Sequence, residues 1–326
     1  MRLPPDHAVA VSTSGGNDHQ PIQLLRIDTG AVSAVVAPGL GGRLISLTAG
    51  AREHLWRNPR ELDEALRLRR PRSSWPEQSG PMSSWVNLGG AKVWPAPQGW
   101  SGAGQWPGPP DPVFDGGAWQ WRAEQLADGG ARVTLESRAD PLTGLRAARS
   151  LEFRPRASGF AETVRFTATE RPVRWAIWEV VQVPSGRECG AGDGSGVIVA
   201  SPDADPLPLL PQLPAPGWRR LPDGRVHVPV LPRVGKLGFP GAAGQIEYAR
   251  SGGGALRLRW DTFPGAEYPD QGSRAEVWMQ HPVAEPIAEL GGLHPDADYV
   301  ELEVLGPLVR LEAGQETCLR ITWDLE

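Results

Sequence analysis

The sequence predicts an all-β fold, a large antiparallel β-sandwich with one short helix. Short segments of alternating apolar and polar residues recur from end to end, turn sequences rich in glycine separate nearly every pair, and helical spacing is found in one place. Alternation with period two is typical of strands that have one buried face. Because the strands follow one another without intervening helices, an antiparallel sandwich is favoured over parallel βαβ architecture.

The alternating segments give the order of the predicted strands along the chain. They span residues 22–27, 31–36, 43–47, 132–136, 147–153, 162–167, 173–183, 226–230, 255–263, 275–280, 299–305 and 317–323. The one predicted helix starts at Asn58, a residue that favours the N-cap, followed by Pro59 at the first helical position, and it continues to Arg69. Residues 1–326 are interpreted as a single domain, since β-sandwiches exceed 200 residues as one unit.

Composition and charge limit the class of protein. No apolar stretch is long enough to span a bilayer, and the first residues lack the apolar segment of a secretory signal, so we expect a soluble cytoplasmic protein without membrane contact. The net charge of −5 makes nucleic acid an unexpected partner. Two cysteines, Cys189 and Cys318, are too few for a disulfide framework and are expected as free thiols. No zinc motif or phosphate-binding loop is present, so neither a metal nor a cofactor is expected.

Tryptophan is concentrated in one segment. Seven of the 14 tryptophans lie between residues 75 and 121, in a stretch with few strand-like alternations that is predicted to be a long irregular excursion. Indole rings offer flat apolar faces to the C–H faces of sugars, and their N–H groups donate hydrogen bonds. A sugar platform is the functional interpretation, and a second small core beneath a loop is the structural alternative.

Lysine is the second unusual feature. Of the 33 basic residues 31 are arginine, and only Lys92 and Lys236 are lysine. An ammonium is a compact charge and a feasible proton donor, whereas a guanidinium does not deprotonate. Each lysine is therefore a candidate for a role that requires lysine, with chance retention as the alternative.

Carboxylates in the segment 299–305 are the third feature. Alternation places Tyr299, Glu301 and Glu303 on one face of this strand and apolar residues on the other. If the strand is central, the two carboxylates share a concave face where repulsion and burial raise the pKa of at least one of them. If the strand is at an edge, both are solvated.

Two blocks of sequence resemble the galactose mutarotase-like (aldose 1-epimerase) superfamily: the glycine-rich turn and strand at 36–47, and the glutamate-bearing strand and closing turn at 299–316. The resemblance implies a β-supersandwich, a sugar or oligosaccharide as the bound partner, and a glutamate that takes the proton from the anomeric hydroxyl. Glu303 is the preferred counterpart of that base, with Glu301 as its neighbour. Loop length does not decide between them.

The sequence departs from the superfamily at the acid. Active relatives carry an Asn-His motif whose histidine is one of two that can protonate the ring oxygen, but here Asn87 is followed by Leu88. Lys92 and His281 are the candidate substitutes, although a structural role for His281 is the simpler interpretation. An aldose 1-epimerase-like enzyme is therefore the first hypothesis, and a carbohydrate-binding protein that has lost its catalytic histidine is the alternative.

Both hypotheses require the tryptophan segment and the acidic strand to line one hollow. The candidate catalytic residues are Glu303, Glu301, Lys92 and His281. The candidate substrate-binding residues are Arg43, Asn87, Trp94, Gln98, Trp106, Glu179, Gln182, Lys236 and Tyr268.

Overall fold

The computed structural model describes residues 8–16, 22–99, 105–186 and 194–326, which form two large antiparallel sheets. In chain order the strands are β1 (Ala10–Ser14), β2 (Leu24–Asp28), β3 (Val32–Ala37), β4 (Arg43–Ala49), β5 (Arg52–Glu53), β6 (Ala91–Ala96), β7 (Gln120–Gln125), β8 (Ala131–Glu136), β9 (Leu145–Phe153), β10 (Gly159–Ala168), β11 (Val173–Pro184), β12 (Gly196–Val199), β13 (Leu207–Pro208), β14 (Arg219–Arg220), β15 (Val226–Pro229), β16 (Gly235–Phe239), β17 (Gln245–Ala249), β18 (Ala255–Trp260), β19 (Ala275–Gln280), β20 (Tyr299–Leu305), β21 (Val309–Leu311) and β22 (Glu316–Leu325). The α-helix α1 (Pro269–Gly272) and three 3-10 turns (Arg72–Ser74, Met82–Ser84 and Ala288–Leu290) complete these elements.

Within the described ranges one sheet has twelve strands and the other has ten. The larger sheet has the order β1-β2-β3-β4-β6-β11-β20-β19-β16-β13, with β5 paired to β4 and β21 to β11. The smaller sheet has the order β14-β15-β12-β17-β18-β22-β10-β9-β8-β7. The all-β sandwich with one short helix is confirmed, and no described helix has both the length and the apolar character needed to cross a membrane.

An ion cluster joins the two sheets inside the apolar core. Arg149 on β9 contacts Glu162 on the neighbouring strand and reaches Glu179 of the larger sheet, with Nη2 to Oε1 at 2.8 Å. All three side chains are fully shielded from solvent. Arg149 also donates to the carbonyl of Ala91 at 3.0 Å, so the cluster holds β6 against the interior.

Two predictions about local structure are wrong. The segment 58–69 forms turns instead of a helix: Asn58 Oδ1 accepts the N–H of Arg60, but Leu66 adopts a left-handed backbone with φ of 62°, which ends helical continuation. The excursion predicted between residues 75 and 121 contains β6. Proline is unusual inside a strand, so Pro95 argued against a strand in this segment. β6 tolerates Pro95 because β6 pairs with β4 only at Ala91, which leaves Pro95 without a strand neighbour on that side.

Candidate functional site

The outer face of the larger sheet carries a cluster of polar and aromatic side chains on five neighbouring strands. Their apolar neighbours along each strand pack between the sheets. The cluster consists of Lys92 and Trp94 on β6, Trp178 and Gln182 on β11, Tyr299, Glu301 and Glu303 on β20, Glu276, Trp278 and Gln280 on β19, and Lys236 on β16. The acidic strand is central in the sheet, between β11 and β19.

A hollow of about 110 Å³ opens over this face. Four indole rings line it, three from strands of the sheet and one from the loop before β6: Trp94, Trp178, Trp278 and Trp85. Polar groups at its surface include Gln98, Lys236, Asp270, Gln280, Tyr299 and Glu301. The tryptophan-rich segment and the acidic strand therefore meet at one hollow.

Glu301 is the carboxylate of the acidic strand that lines the hollow. The residue is 7% exposed, and its Oε1 accepts a hydrogen bond of 2.7 Å from Gln182 Nε2. Burial raises the pKa of Glu301 to about 6, because the attraction of Lys92 only partly offsets desolvation and Glu303 repels the charge. A carboxyl with this pKa exchanges a proton near neutral pH.

Lys92 lies behind Glu301 and has no exposed surface. Its Nζ is 3.7 Å from Glu301 Oε1, and it sits 4.9 Å from the ring centroid of Trp94 and 5.6 Å from that of Trp85. Burial lowers the pKa of Lys92 to about 7, with Glu301 opposing the change. Lys92 therefore does not line the hollow itself but contacts Glu301, which does.

Lys236 joins two buried carboxylates. Its Nζ lies 2.5 Å from Glu276 Oε2 and 2.9 Å from Glu303 Oε2. Trp178 Nε1 donates to the same Glu303 oxygen at 2.7 Å. Burial disfavours the ammonium, but Glu276, Glu303 and Asp270 outweigh it and raise the pKa of Lys236, so this lysine remains charged.

Asp270 approaches the same cluster from α1. The backbone of Asp270 (φ 50°) and that of Gln271 (φ 61°) are both left-handed, a conformation that costs about 1–2 kcal/mol per residue outside glycine. Burial raises the pKa of Asp270, although the positive charge of Lys236 opposes this change. Strain of this kind persists where surrounding structure holds a side chain in a defined position.

Further hydrogen bonds fix the aromatic side chains of the hollow. The Tyr299 hydroxyl donates to Gln280 Oε1 at 2.8 Å and accepts from Asn87 Nδ2 at 3.1 Å. Trp85 Nε1 donates to Asp115 at 2.9 Å, and Asp115 is paired with Arg43 at 2.7 Å.

Comparison with known proteins identifies the architecture. No family model and no curated relative matches the sequence. A candidate aldose 1-epimerase from Klebsiella pneumoniae is similar in structure over 97% of this chain and 83% of its own, with a TM-score of 0.61 and 11% identity. A galactose mutarotase-like protein from Clostridium acetobutylicum is similar over 98% and 99%, with a TM-score of 0.54 and 9% identity.

The chain has a galactose mutarotase-like fold. It also spans 53% of a TPR-domain containing protein from Parabacteroides distasonis, with 97% of this chain covered, a TM-score of 0.58 and 13% identity. At such identities the similarity concerns the fold alone.

Within the mutarotase-like fold, eight of the predicted site residues gather at the hollow. Glu301, Trp94, Gln98 and Lys236 line it, whereas Glu303, Lys92, Gln182 and Trp106 support it from below or behind. Trp106 is fully buried, with its ring centroid 5.1 Å from that of Trp94 and its Nε1 donating to Asp111. Asn87 does not line the hollow itself, but its Nδ2 donates a hydrogen bond to the hydroxyl of Tyr299, which does.

Four predicted residues lie elsewhere. Glu179 faces the interior and binds Arg149, because it is three positions from Gln182 on one strand and must point to the opposite face. His281 is partly exposed, with Nδ1 3.5 Å from Asp298, and does not line the hollow. The hydroxyl of Tyr268 accepts the Phe263 N–H at 3.0 Å, and Arg43 is buried behind Trp85.

The structure adds residues that sequence reasoning missed. Glu276, Trp278 and Gln280 share the face of the hollow with Trp178. A signal was available, since alternation in the segment 275–280 puts a carboxylate, an indole and an amide on one face of an otherwise apolar strand. Cys318 is a free, exposed thiol, whereas Trp100 and Cys189 lie outside the described residues.

Proposed function

We propose that the hollow binds a carbohydrate and that the protein interconverts the anomers of an aldose, as an aldose 1-epimerase-like enzyme. The observation that carries this proposal is Glu301, a carboxyl with a pKa of about 6 that lines a hollow walled by indole rings. A general base works best when its pKa is close to the working pH.

The chemistry of the hollow supports a sugar as its ligand. Indole rings suit the apolar C–H face of a pyranose, and polar atoms suit its hydroxyl groups. On the same side of the sheet, Trp94 Nε1, Gln182 Oε1 and Glu303 Oε1 are buried without a hydrogen-bond partner among the described residues. Buried polar atoms are rarely left unpaired, so a polar ligand or water is expected to satisfy them.

The reaction requires a base and an acid on either side of the anomeric carbon. Glu301 takes the proton of the anomeric hydroxyl, the bond from that carbon to the ring oxygen breaks, and an acid protonates the ring oxygen. Rotation of the resulting aldehyde and the reverse steps give the other anomer. Contacts with Lys236 and Trp178 occupy Glu303, which supports Glu301 as the base.

Asp270 is the acid that the hollow supports best. It lines the hollow, and burial raises its pKa, so it can hold a proton. Lys92 is separated from the hollow by its position behind Glu301, and its role is to set the charge of that base. The proposed pair is therefore Glu301 as base and Asp270 as acid.

A non-catalytic carbohydrate-binding protein is the second candidate function. The observation in its favour is that no histidine in the described ranges lines the hollow, so the acid that the superfamily resemblance leads one to expect is missing there. Such a protein would retain the indole rings and bind sugars without turnover.

Anomer exchange measured by saturation-transfer NMR on a panel of aldoses tests the first function. We expect exchange in the wild type, its loss in Glu301→Gln, and retention in Glu312→Gln, a matched control at an exposed turn. Tryptophan fluorescence titration with the same sugars tests the second. Binding without exchange would support the carbohydrate-binding protein, and neither binding nor exchange would contradict both functions.

A further inference from the structure

A second cleft lies where the ends of the two sheets meet. It has a volume of about 850 Å³ and is lined by the β4–β5 hairpin, the end of β11 and the turn between β17 and β18. Trp56 stands between this cleft and the hollow: it lines the cleft, and its ring packs against that of Tyr299 with the centroids 4.4 Å apart. No residue lines both cavities, so the cleft is a separate candidate binding site.

Three arginine side chains line this cleft: Arg52, Arg57 and Arg250. Within the described part of the chain, Arg52 and Arg250 form no ion pair with a carboxylate, and Arg57 Nη1 is a distant 3.8 Å from Glu53 Oε2. Glu53 is already engaged, because its Oε1 accepts two backbone N–H groups, at 2.9 and 3.0 Å. The cleft therefore carries positive charge that its own carboxylates do not neutralise.

Two of these arginines are held in place by contacts between the hairpins. Arg52 donates to the carbonyl of Gly253, and Arg250 Nη1 donates to the carbonyl of Glu53 at 3.2 Å. Gly254 leaves room for this arrangement, since a Cβ at that position would collide with the guanidinium of Arg52. Each contact uses one of the five N–H donors that a guanidinium carries. The arginines are thus fixed in position and retain donors for a ligand.

The surroundings of the cleft do not supply the missing negative charge. Burial, together with the charges of Arg52 and Arg250, lowers the pKa of His54 to about 4, so this imidazole is neutral at neutral pH. Glu326, the other acidic residue of the lining, lies 3.3 Å from Arg257 Nη1. Both carboxylates of the lining are therefore engaged by groups other than Arg52 and Arg250.

We propose that this cleft binds the phosphate group of a small phosphorylated molecule. Guanidinium groups hold phosphate oxygens through paired, charge-assisted hydrogen bonds, and a cavity of this volume is typical of small-molecule sites. Leu55, Trp56 and Pro184 give the rest of such a molecule an apolar wall. The structural alternative is that the arginines only clasp the two hairpins together. Neither possibility depends on anomer exchange in the hollow.

Calorimetric titration with inorganic phosphate, in a phosphate-free buffer at constant ionic strength, tests the proposal. We expect one phosphate per chain, and a Kd about ten-fold weaker in Arg57→Gln. Arg57 is partly exposed and only loosely paired, so its replacement should leave the fold intact, which thermal unfolding without phosphate checks. Arg310→Gln alters an exposed ion pair outside the cleft and should bind like the wild type. Absence of phosphate binding, or equal affinity in Arg57→Gln and the wild type, would overturn the proposal.

Charge-conserving variants separate phosphate recognition from the clasp. Arg52→Lys and Arg250→Lys keep the positive charge but lose the planar fork, so phosphate should bind several-fold more weakly in each. Because the cavities share no lining residue, saturating phosphate should leave the Kd of an aldose unchanged, and it also occupies the cleft when phosphorylated sugars are tested at the hollow. Unchanged phosphate affinity in both lysine variants, or displacement of the aldose by phosphate, would place the anion outside the cleft and overturn the proposal.

Discussion

Lys92 Nζ lies 3.7 Å from Glu301 Oε1, and the two groups share a desolvated site at the back of the hollow. Burial lowers the pKa of the lysine to about 7 and raises that of the glutamate to about 6. The ionised and neutral forms of the pair therefore differ little in free energy near neutrality. Small changes around either group should be visible in pH-dependent measurements.

Removing the cation should move the pH dependence of activity. Lys92→Met takes away the attraction that opposes desolvation of Glu301, so the pKa of Glu301 should rise further. Because the proposed base must be ionised, the acidic limb of the rate of anomer exchange should shift to higher pH. Rate profiles of the wild type and Lys92→Met check this, and a shift to lower pH would contradict the arrangement.

The same lysine should make stability depend on pH. The pKa of Lys92 is about 7 in the folded protein and 10.5 in the unfolded chain, so between these values the unfolded chain binds more protons. The free energy of unfolding of the wild type should therefore rise relative to that of Lys92→Met as pH increases from 7 to 10.5. Urea denaturation at several pH values measures the difference, and a difference independent of pH would mean that Lys92 titrates normally.

The strands and the acidic face could be predicted from the sequence, because side chains along a strand alternate between its two faces with a period of two. It places Tyr299, Glu301 and Glu303 on one face, as the structure has them. The same rule shows that Glu179 and Gln182 cannot share a face. It also indicates Glu276, which was overlooked because a single carboxylate in an apolar strand gave no reason to look for a partner.

Other features could not be obtained from local pattern. The pairing of Lys236 with Glu276 and Glu303 depends on the order β20-β19-β16, which brings together residues far apart in the chain. Glu301 and Glu303 point to the same face of β20, so alternation cannot tell which of them lines the hollow. The burial of each carboxylate in the folded protein decides this. The left-handed backbone at Asp270 is likewise a product of tertiary structure.

The indole rings should contribute to sugar affinity. Trp85 lines the hollow and is partly exposed, so Trp85→Ala removes an apolar face and should weaken sugar binding by about 1 kcal/mol, or roughly five-fold in Kd. Trp218, which is 38% exposed and does not line the hollow, provides the control variant Trp218→Ala. Calorimetric titration measures both. Equal affinities in Trp85→Ala and the wild type would place the sugar elsewhere.

The charge of the hollow should disfavour phosphorylated sugars. Lys236 is the cation among its described lining residues and is already engaged by Glu276 and Glu303, while the proposed base Glu301 adds negative charge when it is ionised. An aldose 6-phosphate should therefore bind about ten-fold or more weakly than the aldose, and added salt should reduce the difference by screening. A 6-O-methyl aldose controls for size. Tighter binding of the phosphate would require a cation that is not engaged by the carboxylates.

Substitutions in the ion cluster between the sheets should lower the free energy of unfolding more than substitutions in exposed ion pairs. Arg149→Met leaves Glu162 and Glu179 without their cation in the core, and breaking a buried pair in this way costs about 3–5 kcal/mol. Adding Glu162→Gln and Glu179→Gln removes the unpaired charge, so the triple variant should recover much of the loss. Arg310→Met, which removes an exposed partner of Glu312, should change stability by less than about 1 kcal/mol. Urea unfolding midpoints rank the three variants, and a triple variant less stable than Arg149→Met would show that hydrogen bonding, and not unpaired charge, sets the cost.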